Sequence, residues 1–252
     1  MRVIAVLNQK GGVGKTTTTV NVAHGLALAG EKVLGVDLDP QGHLGVSFGF
    51  KGTEPGMDDV LLDEVPLAER RREARERLDL VTAGARLPDV ERMEGGQERG
   101  WRLRNAIDAL EGGDTFLMMD CPPSSGLLAM NALLAADELL VPVFCDFLSL
   151  QGLSRLMRIL HRIEQRMGVW TRKHLVLVRY QQRRRLDNEV RDKICEYFPG
   201  QLLRTHVRDN VSLAEAPGWG RSVFEHQPRS HGAEDYAGLV RDLLEGRTVD
   251  AT

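Results

Sequence analysis

The stretch VIAVLNQKGGVGKTTTT, residues 3–19, decides the fold. Its first five residues are apolar and rich in β-branched side chains; too few to cross a membrane, they read as a strand buried in a parallel sheet. Gly11, Gly12 and Gly14 permit a tight loop with inward-facing N–H groups, and residues 16–29 return to a helical period that closes at Gly30. Strand, glycine loop and helix together form an anion-binding nest at a positive helix end. Lys15 brings a full charge to β- and γ-phosphates, and Thr16 offers a hydroxyl to a Mg²⁺ ion.

Two further apolar runs end in carboxylates. KVLGVDLD (residues 32–39) delivers Asp37 and Asp39, and FLMMD (residues 116–120) delivers Asp120. Ligands of a parallel sheet bind beyond the carboxyl ends of its strands, so these acids arrive beside the phosphate loop. Taken alone, Asp37 and Asp39 also suit an ordinary strand-end turn before Pro40-Gln41-Gly42. Mg²⁺ keeps several waters, so Asp120 next to the Thr16 hydroxyl suffices as the metal-side carboxylate.

Composition narrows the class. The 252 residues can bury one substantial core, and residues 1–252 read as a single domain. A formal charge of −3 means that nucleic acid could be met only through a local basic patch. Cys121, Cys145 and Cys195 are too scattered for a disulfide framework or a metal site; with no signal peptide they point to a reducing cytoplasm. No run reaches the roughly 20 apolar residues of a membrane helix.

Read as G-x-x-x-x-G-K-[ST], the loop fails at its first glycine, because Gln9 stands there. KGGVGKTT, opened by Lys10 and closed by Gly14-Lys15-Thr16, instead resembles the deviant Walker A motif of the ParA/MinD superfamily. DLDPQGHL resembles that family's switch I, and DCPPSSGLLAMNALLAAD, residues 120–137, its switch II with the helix after it. The likeness is dense over residues 2–48, 115–155 and 205–245, thin over 51–100, and fits the short ParA form without a helix-turn-helix domain. It implies a P-loop α/β three-layer sandwich, a mostly parallel sheet with helices on both faces, that binds ATP and Mg²⁺.

By the same resemblance Lys10 reaches the nucleotide of a facing subunit in an ATP sandwich homodimer. Asp39 positions the attacking water, so Lys10, Lys15 and Asp39 are the catalytic candidates. Lys10, Gly11, Gly12, Val13, Gly14, Lys15, Thr16, Thr17 and Asn210 are the nucleotide contacts; Thr16, Asp37 and Asp120 serve the metal. Arg208 stands where the family has an adenine-contacting Pro, and Asp209 where it has a DNA-contacting Arg, for which Arg204, Arg208 or Arg221 could substitute. CDFLSLQGL, residues 145–153, departs from a family C-E-Y-x-A-L-E-G-L at Asp146 and Gln151.

The run Arg183, Arg184, Arg185 matches a loop that touches DNA without sequence preference in relatives; a solvated charge run is its bland alternative. ERRREARER, residues 69–77, interleaves acid and base as a solvated helix face would, with an arginine-rich nucleic-acid contact as the other reading. The resemblance implies a ParB-like or cargo-adaptor partner that stimulates hydrolysis, and a nucleoid-associated cytoplasmic protein that segregates or positions a chromosome, a plasmid or an assembly such as a carboxysome. A MinD-like membrane-associated regulator is the rival; it needs a basic amphipathic C-terminal helix, whereas GLVRDLLEGRTVDAT ends polar and acidic. A metabolic P-loop enzyme would need cluster-ligating cysteines or a dedicated substrate pocket.

Overall fold

Alternation along the first strand sets the layers. In the computed structural model, which describes residues 1–51 and 53–249, β1 (Arg2–Val6) sends Val3 and Ala5 into one buried cluster and Ile4 and Val6 into another. Each cluster is one face of the sheet. The other strands are β2 (Val33–Asp37), β3 (Arg72–Arg75), β4 (Leu78–Val81), β5 (Phe116–Asp120), β6 (Glu138–Phe144), β7 (Arg172–Tyr180) and β8 (Val207–Arg208). They join in the order β3-β4-β2-β5-β1-β6-β7-β8, all parallel except the β3–β4 pair.

The helices are α1 (Lys15–Leu28), α2 (His43–Ser47), α3 (Met57–Asp63), α4 (Arg102–Asp108), α5 (Leu127–Ala135), α6 (Phe147–Met167), α7 (Arg185–Tyr197), α8 (Val211–Glu215), α9 (Val223–His226) and α10 (His231–Glu245). Leu61, Leu103, Leu128, Leu156 and Ile194 place α3 to α7 on the face of Val3. Leu26, Leu44, Val223 and Leu239 place α1, α2, α9 and α10 on the face of Ile4. The architecture is the three-layer, mostly parallel sandwich. Because β1 lies between β5 and β6, the chain leaves it at the switch point of the sheet, where a ligand crevice opens.

Residues 69–77 differ from the helix face expected of them. They form a 3-10 turn (Leu67–Arg70) and the edge strand β3, with Arg77 at φ 61° in the turn to β4. The partners of the arginines explain it. Arg71 clamps Asp79 and Asp114, and Arg75 donates to Glu225 Oε1 and the Gly220 carbonyl, so distant carboxylates replace i,i+4 neighbours. With their charges already matched, Arg71 and Arg75 are poor candidates for nucleic-acid contact.

Glu138, the first residue of β6, ties that strand to two others. Arg2 donates to both its oxygens at 2.6 and 2.9 Å, and His174 lies 2.7 Å from Oε2. Burial alone would raise this carboxyl, but the His174 and Arg2 hydrogen bonds pull it from 4.5 down to about 2. A depressed carboxylate stabilises the fold above its unfolded value and loses that contribution as pH falls toward the folded one. Glu138→Gln should therefore lower unfolding free energy at pH 7 by about 2 kcal/mol, less than for a fully buried pair because Arg2 is 34% exposed. Denaturant melts should show the gap closing between pH 4.5 and 2; a constant gap would mean that packing, not charge, carries the effect.

Candidate nucleotide-binding site

The glycine loop is shaped by its own strand end. Asn8 Nδ2 donates to the Pro142 carbonyl at 2.7 Å and Asn8 Oδ1 accepts the Lys10 amide at 3.0 Å, so the loop is pinned to β6. Gly12 and Gly14 take φ of 70° and 84°, the left-handed region that other residues enter at a cost. No side chain caps α1 at Gly14, which leaves its first N–H groups for an anion. A Cβ at Gly11 would meet no protein atom within 4 Å, so that space is free for ligand. Gly11 to Thr17 line a cleft of about 690 Å³ together with Asp39, Arg179 and Asn210.

Strand register brings the acids together. Asp120 pairs across the sheet with Val6 on one side and Asp37 on the other, and both carboxylates are fully buried. Asp120 accepts the Thr16 hydroxyl at 2.6 Å and the Thr19 hydroxyl at 3.2 Å. Burial raises its pKa to about 7; the Thr16 bond opposes this, Asp39's charge adds to it, and Lys15 opposes it. With its O–H donated to Asp120 as a hydrogen bond, the Thr16 oxygen keeps lone pairs for a cation in the cleft, which fits Mg²⁺ held by one hydroxyl, water and substrate phosphates. Among the described residues there is no cage of His, Cys, Asp and Glu that could hold a metal alone.

Asp37 stands beside Asp120 in the strand register, and both lie behind the residues that line the cleft. The Asp37 carboxylate accepts the amides of Asp39, Leu44 and Gly45 at 3.1, 3.1 and 3.3 Å, and so anchors the loop that carries Asp39. Burial, then the charge of Asp120, raises the Asp37 pKa well above the usual carboxylate range. Asp39 itself faces the cleft, with Oδ1 accepting the Gln41 amide at 3.0 Å.

Lys10 stands apart from the cleft lining. Its ammonium donates to Asp146 Oδ2 at 2.7 Å and to Ser149 Oγ at 3.3 Å, and lies 5.2 Å from the centre of the Phe144 ring. Burial works against the Asp146 carboxylate, yet Lys10 and the Ser149 amide hold it below its usual range. In the sequence Asp146 stands out only as a departure from the family pattern, and Phe144 carries no signal of its own.

The ends of β7 and β8, across β6 from the glycine loop, bring Val178, Arg179, Val207 and Arg208 to the cleft, and Leu213 of α8 lines it too. Asn210 caps α8 by accepting the Ser212 amide at 2.9 Å, leaving its Nδ2 for a ligand. Arg208 is held by Asp235 and Glu234 at 2.6 Å each, so it is fixed on α10. Arg183 lies in a turn, but Arg184 is the N-cap of α7 and Arg185 its first residue, so the three do not share a loop. Arg184 pairs with Asp187 at 3.7 Å and Arg185 with Glu189 at 2.7 Å. Arg183 instead lines a second, open cleft of about 820 Å³ with Arg191, His206 and Arg208.

Comparison with known proteins agrees with this geometry. A family model described as an AAA domain matches residues 1–175. The chain is 36% identical to the chromosome partitioning protein ParA of Caulobacter vibrioides over 252 residues, 97% of this chain and 94% of that one. It is 34% identical to the sporulation initiation inhibitor protein Soj of Bacillus subtilis over 247 residues, 96% and 98% of the two chains. Among solved structures, cobyrinic acid a,c-diamide synthase of Mycobacterium smegmatis with bound ADP and magnesium superposes with TM-score 0.81 at 28% identity, over 100% and 99% of the chains. A Cyanothece McdA–ATP complex superposes at 0.86 over 100% and 99%, and at 19% identity shares the fold. With a nucleotide loop of this shape and relatives matched over nearly their whole length, the chain belongs to the ParA/Soj family of P-loop partition ATPases.

Proposed function

We propose that the protein binds Mg-ATP in the cleft beside the glycine loop, pairs with a second copy across it, and in that state holds DNA without sequence preference. The observation that carries the reading is the position of Lys10. Its own phosphates are served by Lys15, 7% exposed at the head of α1, while the Lys10 ammonium waits at the rim, 2.7 Å from Asp146. An exposed pair of this kind is worth about 0–1 kcal/mol, so a triphosphate on a facing subunit would readily take the cation. Mg²⁺ would neutralise charge between the β- and γ-phosphates. Asp39 would orient water at the γ-phosphate, and the segment anchored by Asp37 would relax once that phosphate leaves.

Release from DNA would follow hydrolysis, and a ParB-like or cargo-adaptor protein would set its timing. Segregation of a chromosome or plasmid, or placement of a protein assembly on the nucleoid, follows from repeated release and rebinding. The membrane alternative finds little support among the described residues: α10 spends Tyr236, Leu239, Val240 and Leu243 on the core, and no helix is long and apolar enough to cross a bilayer. Residues 250–252, the last of the polar tail, lie outside the described residues.

DNA binding is tested at the arginines. The pairs of Arg184 and Arg185 are half or more exposed on the arginine side and weak, so phosphates can displace the carboxylates. Replacing Arg183, Arg184 and Arg185 together by Ala should weaken ATP-dependent binding to random duplex about tenfold or more at 0.1 M salt. The salt slope should flatten by about one unit per lost phosphate contact. An unchanged slope in a salt-titrated filter assay returns the run to solvated surface.

A further inference from the structure

The geometry points to Arg179 as a nucleotide contact that caps the purine base, a role that rests on the ATP-binding reading above. Pairing of β7 with β8 runs from Val178↔Val207 to Tyr180↔Arg208, so two steps along β7 meet one along β8 and Arg179 is the extra residue. Such bulges re-aim a side chain. Val178 and Tyr180 on either side are each 5% exposed, whereas Arg179 is exposed and takes φ 53°, a backbone region that a branched or bulky residue enters only under constraint. The bulge thus turns one long cation out of the sheet and into the lining of the nucleotide cleft.

Where in the cleft it lies follows from the two ends. Phosphates belong at Gly11 to Thr17 beside β1, and the opposite end, across β6 at β7 and β8, is lined by Val178 and Val207 with the Asn210 amide, next to Arg208 and Asp209. That end suits a base. The Arg179 guanidinium sits 5.1 Å from the centre of the Phe144 ring. A guanidinium is planar, stacks on aromatic faces and has a second face to offer, so Phe144, Arg179 and a purine can form a stack. Its charge is also available: among the described residues Arg179 has no carboxylate in ion-pair range, while its neighbour Arg208 is committed to Asp235 and Glu234. Arg179 therefore supplies the adenine contact that Arg208, held on α10, does not.

Titration calorimetry with ATP, ADP and inorganic tripolyphosphate on wild type, Arg179→Met and Arg179→Lys separates base from phosphate. Both variants should bind ATP and ADP about tenfold more weakly, because lysine keeps the charge and loses the plane, and tripolyphosphate affinity should not move. In turnover, KM should rise while kcat holds. Lysine restoring wild-type affinity, or tripolyphosphate weakening in parallel, would assign the residue to phosphate and overturn the proposal. Wild type that binds ATP while Arg179→Met matches it overturns the role of Arg179 alone; wild type that binds no ATP overturns the ATPase reading and this one with it.

Discussion

Asp39→Ala protein is expected to bind ATP, pair, and stop. The side chain lies in the cleft on a segment whose backbone is tied to Asp37 through the Asp39, Leu44 and Gly45 amides, so truncation removes a carboxylate without untying the segment. Binding rests on other groups: the α1 N–H groups, Lys15 and Thr16. Loss of a group that positions or deprotonates water costs about 10²–10⁴ in rate, and the chemical step should slow on that scale. Pairs that cannot hydrolyse should accumulate on DNA. Steady-state ATPase assays and ATP-dependent sedimentation with duplex read both halves, and full turnover would falsify the assignment of Asp39.

Lys10→Ala should have the largest effect on assembly. Facing triphosphates would repel, and removing the Lys10 cation would leave that charge less answered in the closed, water-poor interface of the proposed pair, where electrostatic interactions strengthen. ATP-dependent dimers should fall below detection in sedimentation velocity at micromolar protein, while ATP binding to the single subunit, served by Lys15, persists. Asp146→Asn is the informative companion: it frees Lys10 from its 2.7 Å partner, so dimers should form at equal or lower ATP. If Lys10→Ala dimerises as wild type does, Lys10 acts only within its own chain.

Much of this molecule was legible because its signals are local. β1, the glycine loop and α1 follow one another within residues 2–28, and the strands ending at Asp37 and Asp120 are short apolar runs with carboxylates at their ends. What escaped depends on remote partners. β3 pairs with β4, and the arginines around it, Arg71 and Arg75, are held by Asp114 and Glu225, which no window around residue 73 contains. Lys10 meets Asp146 across 136 positions of sequence, and the bulge at Arg179 exists only in register with β8. The one available signal for Arg179 was a cation at the end of a buried strand, LVLVRY, where ligands of such sheets collect. Leu186, Val190 and Ile194 stand four apart and mark α7 from its first turn, so Arg184 and Arg185 belong to the helix start; the run of adjacent arginines masks that period.

The rim contact between Lys10 and Asp146 also bears on how two molecules meet. A resting subunit presents there a neutral couple rather than bare positive charge, so twins can approach without mutual repulsion at that spot and stray anions find little to hold. If the proposed pairing holds, recruitment would be selective in time: a neighbour already loaded with triphosphate would be anionic enough to draw the ammonium across, and empty collisions would come apart.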